Sequence, residues 1–209
     1  MNYTYPTSDV NLKIPNVVIH GTTNIGAKLI KNHGILERGF NPLGYQKKPS
    51  SLDFGEGFYC TYNNIATCVQ QVNKLSETRA KNYSAKPVIL NIEVDQLINS
   101  DTSLRCVYFD GKNDGLDWAK FIVHHRVNKD KRYCFKEPCE KHPDIMIGPV
   151  ADRKYITALA HGVKSHSELI YFYKEIKKAP WFPQYKQIVF SGRVLKYLRP
   201  CFNKPYSGI

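Results

Sequence analysis

Apolar positions along this chain fall into short runs separated by helical stripes, and that rhythm predicts most of its elements. Val17-Val18-Ile19-His20 is a brief apolar run that reads as a buried strand, ended by Gly21-Thr22-Thr23-Asn24. Ile25 to Asn32 suits a short helix, with Gly34 after it. Phe58, Tyr59 and Thr61 favour a strand. Beyond them Ile65, Val69, Val72 and Ser76 step round one helical face, with Cys68 beside them. Val88-Ile89-Leu90-Asn91-Ile92-Glu93-Val94 is β-branched and then alternating, a strand pattern. Cys106 to Phe109 is a candidate strand. Leu116, Ala119 and Val123 share one stripe of a helix from Gly115 to Val127. Asp144 to Gly148 predicts a short central strand closed by Gly148-Pro149. A helix follows from Asp152 to about His161, stopping at Gly162. The next starts at Ser165, where Ser165 and Glu168 match a capping box. Pro180 and Pro183 break the chain, and Tyr185 to Ser191 alternates as a strand.

Between these elements lie polar stretches. Residues 1–15 read as a flexible lead-in, 39–53 and 128–143 as loops, and 199–209, with Pro200 and Pro205, as a tail. Short strands alternate irregularly with helices and show no βαβ rhythm. The predicted class is therefore α+β, one domain over 16–198 rather than a doubly wound sheet.

Charge changes the picture. Thirty Lys and Arg against eighteen Asp and Glu give a formal net charge of +12. Such a balance suits an anionic partner, whether nucleic acid, nucleotide phosphates or a membrane surface, or serves solubility alone. Fourteen tyrosines and ten phenylalanines argue against disorder. The six cysteines, at 60, 68, 106, 134, 139 and 201, are too sparse for a disulfide scaffold. Met1 to Pro6 lacks the basic start and apolar run of a signal peptide, and no stretch approaches the ~18–20 apolar residues of a membrane span. The expectation is a cytoplasmic protein with reduced thiols and no membrane partner. Delivery into another cell without a signal peptide stays open.

Several motifs are missing: P-loop, Rossmann glycine fingerprint, zinc-protease helix and nucleophile elbow. Cys134, Cys139 and His142 supply three zinc-type ligands without a fourth nearby, so no metal is expected. His124 and His125 point about 100° apart on a helix and do not share a metal. Lys186, Arg193, Lys196, Arg199 and Lys204 interleave with Tyr185, Phe190, Tyr197 and Phe202. That mixture suits single-stranded nucleic acid. The plainer reading, a strand and helix with aromatics packed inward, is preferred.

Asp53-Phe54-Gly55-Glu56-Gly57-Phe58-Tyr59-Cys60-Thr61 places two glycines ahead of an aromatic pair. Glycine tolerates positive φ, so the stretch reads as a tight turn delivering a tyrosine into a strand. Alone it is a bulged hairpin. His20 at a strand end offers a hydrogen bond, Tyr59 a ring able to stack on a flat heterocycle, and Gln187 both donor and acceptor for hydroxyls. Taken singly, His20 and Tyr59 read as structural residues.

In order along the chain, the strand ending His20-Gly21-Thr22, the Asp53 to Thr61 stretch, the Trp118 to Arg126 helix, Asp144 to Asp152, and Gln187-Ile188-Val189-Phe190 resemble a bacterial domain family of the ADP-ribosyltransferase superfamily, a His-Tyr-Gln variant. The resemblance covers roughly residues 16–198. It implies a split β-sandwich with an NAD⁺-binding cleft and peripheral helices. In His-Tyr-type transferases the histidine holds the adenosine ribose and the tyrosine stacks on nicotinamide, roles that map onto His20 and Tyr59. Gly21, Thr22, Gly57 and Thr61 complete the implied NAD⁺ contacts. The third residue is usually glutamate, which binds the nicotinamide ribose and stabilises the cationic transition state; here Gln187 stands there.

The implied activity is mono-ADP-ribosylation of the toxin or effector type. NAD⁺ is the co-substrate, a protein or nucleic acid the acceptor, and a neutralising antitoxin a candidate partner. An NAD⁺ glycohydrolase on the same fold, and an inactive nucleotide- or nucleic-acid-binding module, are the alternatives. Glutamine keeps the hydrogen bond but not the charge, which argues against chain elongation. Arg126 and Arg38 are candidates for the pyrophosphate, and Asp144 and Asp152 for acceptor orientation or as a base, with Asp152 read by preference as the cap of the helix that follows. On these grounds Gln187→Glu is expected to keep or raise activity.

Overall fold

The computed structural model describes residues 13–37, 52–62, 66–112, 116–127, 142–151, 155–179 and 182–202. It is an α+β domain. Strands β1 (Val17–Thr23), β2 (Phe58–Thr61), β3 (Pro87–Val94), β4 (Cys106–Tyr108), β5 (Ile145–Pro149), β6 (Lys186–Phe190) and β7 (Leu198–Cys201) form one seven-stranded sheet in the order β4-β5-β6-β2-β1-β3-β7. Every neighbouring pair is antiparallel except β4 and β5. The helices are α1 (Asn24–His33), α2 (Ala66–Asn82), α3 (Leu116–Val127), α4 (Ile156–His161) and α5 (His166–Ile176).

Period-two alternation sorts the strands' side chains into two cores. Val18, Phe58, Cys60, Ile145, Ile147, Ile188 and Phe190 face one way, with Ala27 and Ile30 of α1 packed against them. Met146 and Val189 face the other way, onto Trp118, Phe121 and Ile122 of α3 and the buried faces of α4 and α5. Ile19 on that same side meets Cys68 and Val72 of α2. Tyr59, Thr61 and Gln187 share this second face by alternation.

Several elements outrun their sequence signals. β1 does not end at His20; Gly21, Thr22 and Thr23 go on to pair with Ile89, Val88 and Pro87. Cross-strand bonding carries the strand over Gly21, a weak strand former, to the β-branched Thr22 and Thr23. Thr23 then caps α1, its hydroxyl accepting from Gly26 N at 3.1 Å. α2 continues to Asn82 because Cys68, Val72, Ser76 and Ala80, spaced by four, are all buried. The Ser165–Glu168 capping box forms as predicted, with Glu168 N donating to Ser165 Oγ and that hydroxyl donating back to Glu168 at 2.9 Å. Residues 199–201, expected to open a tail, form β7 with Leu198 on the outer edge of β3. Within the expected lead-in, Ile14 is buried and its N–H donates to Asn99 Oδ1 at 2.8 Å. The loop expected at 39–53 and the Cys134/Cys139 pair lie largely outside the described residues. Cys60, Cys68, Cys106 and Cys201 are free thiols. No helix among the described residues is long and apolar enough to cross a membrane.

Gly21 fixes the spacing between α2 and the sheet. A Cβ there would stand 2.5 Å from Ser76 Oγ, 2.7 Å from Val72 Cγ1 and 3.0 Å from the Val72 carbonyl. The helix backbone is part of that wall and cannot rotate away. Gly21→Ala is expected to lift α2 off β1 and cost about 1–3 kcal/mol, measured by urea unfolding; a loss under roughly 0.5 kcal/mol would contradict the close packing.

Candidate functional site

The site lies where β1 and β2 part. β1 pairs with β3 along its whole length, from Val17 with Glu93 to Thr23 with Pro87, but with β2 only at Ile19 and Thr61. Val94 N donates to Asn16 O at 2.8 Å and Asn24 N to Lys86 O at 2.9 Å. Antiparallel bonding alternates, so even-numbered residues of β1 bond β3 and odd-numbered ones turn their N–H and C=O toward β2. Gly21 would be the next partner, opposite Tyr59, yet the ladder stops before it. Side chains take those carbonyls instead. His20 Nδ1 donates to Tyr59 O at 2.7 Å, and Arg79 Nη1 donates to Gly21 O at 2.8 Å.

A carbonyl only accepts, so Nδ1 of His20 carries a proton. The ring also stacks on Phe58, centroids 4.3 Å apart. Histidine and tyrosine therefore meet through the Tyr59 carbonyl.

Tyr59 is held at both ends. Its hydroxyl donates to Gly55 O at 2.8 Å and accepts from Phe54 N at 3.1 Å. The glycine turn presents the tyrosine, and the tyrosine in turn closes the glycine turn. Burial of the hydroxyl, with the Asp53 charge adding to it, pushes the phenol well above its usual range. The group stays protonated and has no proton to trade; its half-buried ring face is what remains to offer.

Both glycines are required by neighbours. Gly55 has φ of 76°, and a Cβ there would meet His125 Cδ2 at 2.6 Å; a Cβ on Gly57 would meet Val189 Cγ1 at 2.4 Å and the Phe190 carbonyl at 3.0 Å. Gly57 thus seats β2 against β6.

Gln187, 7% exposed, sits on β6 between Thr61 of β2 and Gly148 of β5. Thr61 is fully buried, and its Oγ1 has no hydrogen-bond partner among the described residues. Such a hydroxyl costs about 1–3 kcal/mol when left unmet. Tyr59, Thr61 and Gln187 thus share one face of the adjacent strands β2 and β6, whereas His20 of β1, stacked on Phe58, falls by alternation on the opposite face and reaches the parted ladder through the Tyr59 carbonyl. Thr22 stands apart. Its backbone falls on the β3 side of the alternation, and its hydroxyl lies under Gly26 of α1.

One residue that carries no role in the sequence reading holds the site together. Asp53, 4% exposed, accepts from Arg126 Nε at 2.7 Å and pairs with Arg126 Nη2 at 2.6 Å through Oδ1. Its Oδ2 accepts from Ala151 N at 3.0 Å and from Gln187 Nε2 at 3.3 Å. Phe54, fully buried against Phe121, draws Asp53 inward. The bare Cα of Gly148 gives Phe54 room, since a Cβ there would stand 2.9 Å from its ring. Arg126, expected at the pyrophosphate, is committed to Asp53 and to Thr157 Oγ1 at 2.9 Å, because a buried carboxylate demands a cation. Asp144, expected near an acceptor, is gripped by Arg193 and by Arg105 N at 2.8 Å. Arg38 and Asp152 lie outside the described residues. In the basic, aromatic tail, Tyr185 and Phe190 are buried and Tyr197 and Phe202 pack against the core.

Behind the glycine turn two histidines meet edge to face, their ring centroids 5.1 Å apart. His125 Nδ1 donates to Phe121 O at 2.8 Å, so its Nε2 accepts from His142 Nδ1 at 3.3 Å. Burial depresses His125 to about 3, with His124 and His142 adding to the effect against the Phe121 hydrogen bond. His142 is lowered by burial too. Among the described residues no group of three or more His, Cys, Asp or Glu is placed to hold a metal.

The sequence model of a family described as "Protein of unknown function (DUF3990)" matches residues 35–199, a span that holds Asp53, Tyr59, Arg126 and Gln187 but not His20. No curated protein and no solved structure matches the chain.

His125 makes a pH prediction. Unfolded, the ring takes up a proton near 6.5; folded, it resists until about 3. The unfolded state therefore binds more protons between those values, and stability falls as pH drops through that window, by up to ~1.4 kcal/mol per pH unit from this group. His125→Gln is expected to flatten that slope in urea unfolding at pH 7 and pH 5. An unchanged slope would place the acid sensitivity elsewhere.

Proposed function

We propose that this chain, which belongs to the DUF3990 family, is a mono-ADP-ribosyltransferase of toxin or effector type that cleaves NAD⁺ and passes ADP-ribose to a protein or nucleic acid. The observation that carries the reading is the placing of Tyr59, Thr61 and Gln187 on one face of β2 and β6, with His20 of β1 bonded to the Tyr59 carbonyl, beside a ladder that opens after a single pair. That opening also favours a split β-sandwich over a plain sheet.

In this reading His20, with Nδ1 committed to the Tyr59 carbonyl, meets a hydroxyl of the adenosine ribose through Nε2. The Tyr59 ring stacks on nicotinamide, held rigid by its hydroxyl bonds to the glycine turn. Gly21 turns backbone polar groups toward the same gap. Gln187 meets the nicotinamide ribose. The bond between nicotinamide nitrogen and ribose C1′ breaks, its electron pair leaving with nicotinamide. Positive charge develops on the ribose, and the acceptor's nucleophilic atom bonds C1′ and releases its proton. The +12 charge suits the pyrophosphate and an anionic acceptor alike.

Incubation with NAD⁺ labelled in the adenylate tests the activity. Label on a macromolecule is expected; free ADP-ribose alone would make the protein a glycohydrolase, and binding without turnover an inactive module. Tyr59→Ala and His20→Ala should each weaken NAD⁺ binding about tenfold or more in calorimetry, whereas Tyr59→Phe keeps the ring and should bind within a few-fold of the parent. Unchanged affinity in both alanine variants, with the fold intact, would sink the pocket.

Thr61→Val separates a site role from a structural one. Removing a buried, unpartnered hydroxyl without changing shape should leave the melting temperature level or higher, while NAD⁺ affinity falls about three- to tenfold. A melting temperature that drops with affinity untouched would make Thr61 a packing residue.

A further inference from the structure

We propose that Asp53 is a positioning residue that fixes the amide of Gln187 with its nitrogen inward and its oxygen Oε1 turned away from Asp53, and that it thereby ties position 187 to glutamine rather than glutamate. The role of that oxygen toward the ribose hydroxyl rests on the NAD⁺ reading; the fixed orientation does not.

The argument is one of donors and acceptors. Asp53 Oδ1 is gripped by Arg126 Nε and Nη2, at 2.7 and 2.6 Å, and Oδ2 accepts from the backbone of Ala151 at 3.0 Å. A carboxylate bound by a guanidinium is ionised and only accepts. Whatever approaches Oδ2 from position 187, at 3.3 Å, must bring a hydrogen. Of the two ends of an amide only the nitrogen can, so the orientation follows from Asp53 rather than from a choice between look-alike atoms. With its nitrogen so engaged, the amide is polarised by a full negative charge one hydrogen bond behind it, which strengthens its oxygen as an acceptor. Part of the charge a glutamate would place beside the ribose is in this way relayed from Asp53.

The same contact forbids the glutamate. A carboxylate at position 187 would face Asp53 Oδ2 with no proton between them. Among the described residues, the charged and titratable groups linked to that position are Asp53 from the glycine-turn segment and, around Asp53, Arg126 from α3 and Tyr59 from β2; its strand neighbours Thr61 and Gly148 carry none. Arg126 is one cation already divided between Asp53 and Thr157, and Tyr59 is neutral with its hydroxyl committed. Two carboxylates at that distance cannot both ionise cheaply, so the carboxyl introduced by Gln187→Glu would hold its proton to higher pH than in the unfolded chain. The sequence-based expectation that Gln187→Glu keeps or raises activity is thereby reversed.

The test compares the parent with Gln187→Glu, Asp53→Asn and the exchanged pair Asp53→Asn/Gln187→Glu, by thermal unfolding and NAD⁺ turnover. Raising the folded pKa makes the penalty of the introduced carboxyl small below its unfolded value of about 4.3 and full at high pH. Gln187→Glu should melt on the order of 5 °C or more below the parent at about pH 8 and lose most of that deficit at about pH 4.5. The exchanged pair, in which an asparagine donor faces the new carboxylate, should melt no lower than Asp53→Asn alone at either pH, so that the pH-dependent deficit of the introduced carboxyl disappears. In turnover, Asp53→Asn should lower kcat about tenfold or more with KM changed only a few-fold, because a donor at position 53 reverses the amide. The exchanged pair should restore kcat over either single variant. A Gln187→Glu protein as stable and active as the parent, or a deficit equal at both pH values and unrelieved by the exchange, overturns the inference. If the stability pattern holds while the parent never consumes NAD⁺, the proposed function falls and the positioning stands. If the parent turns NAD⁺ over while the pattern is absent, the reverse is true.

Discussion

A carboxylate that is 4% exposed has to be answered by its surroundings, and the answer given to Asp53 organises this domain. An isolated buried charge is prohibitively costly, so the chain must bring a cation and further donors to it. They come from residues 73, 98 and 134 positions away: Arg126 on α3, the Ala151 amide just after β5, and Gln187 on β6. Three distant segments are held in register by two oxygens. Such a pair adds little net stability against an apolar alternative, yet losing one partner costs about 3–5 kcal/mol. Its value lies in specifying a single arrangement, with Phe54 buried beside it and the glycine turn directly after it.

From that anchor the site is built outward by exchanges of backbone bonds for side-chain bonds. Where β1 and β2 would next pair, His20 and Arg79 take the two carbonyls and the ladder opens. Tyr59 gives its hydroxyl to the turn that precedes it, so the ring is fixed before any ligand arrives. Thr61 is the exception, a hydroxyl fully inside with no partner. Among the described residues it shares that condition only with the indole nitrogen of Trp118, which lies in the helical core away from the parted ladder. In the proposed reading, this unmet group beside the ladder is where bound NAD⁺ supplies a partner.

Much of this was legible in the residues. Periodicity placed most strands and helices because each carries its own apolar face, and Ser165 with Glu168 announced a helix start that needed no tertiary context. The strand positions of His20, Tyr59 and Gln187 could be read the same way. What could not be read were pairings made only by the fold. Nothing local says that Asp53 meets Arg126, so the arginine looked available for phosphates. Nor does any local signal carry β1 across Gly21 or turn residues 198–201 into a strand: Gly21 and Pro200 are weak strand formers, and only β3 recruits them. Asp144 looked catalytic for want of sight of Arg193.

The two ends of the sheet bear on how another molecule can grip it. β4 offers a three-residue edge, and β7 carries Pro200, which has no amide hydrogen, beside the charge of Arg199. Among the described residues neither margin is a long, flat row of unpaired amides, the template that draws in foreign strands and seeds fibres. Crowded copies of this protein are thereby kept from zipping together edge to edge. For the same reason, an inhibitor that worked by adding a strand would find poor purchase there and would have to recognise side chains instead.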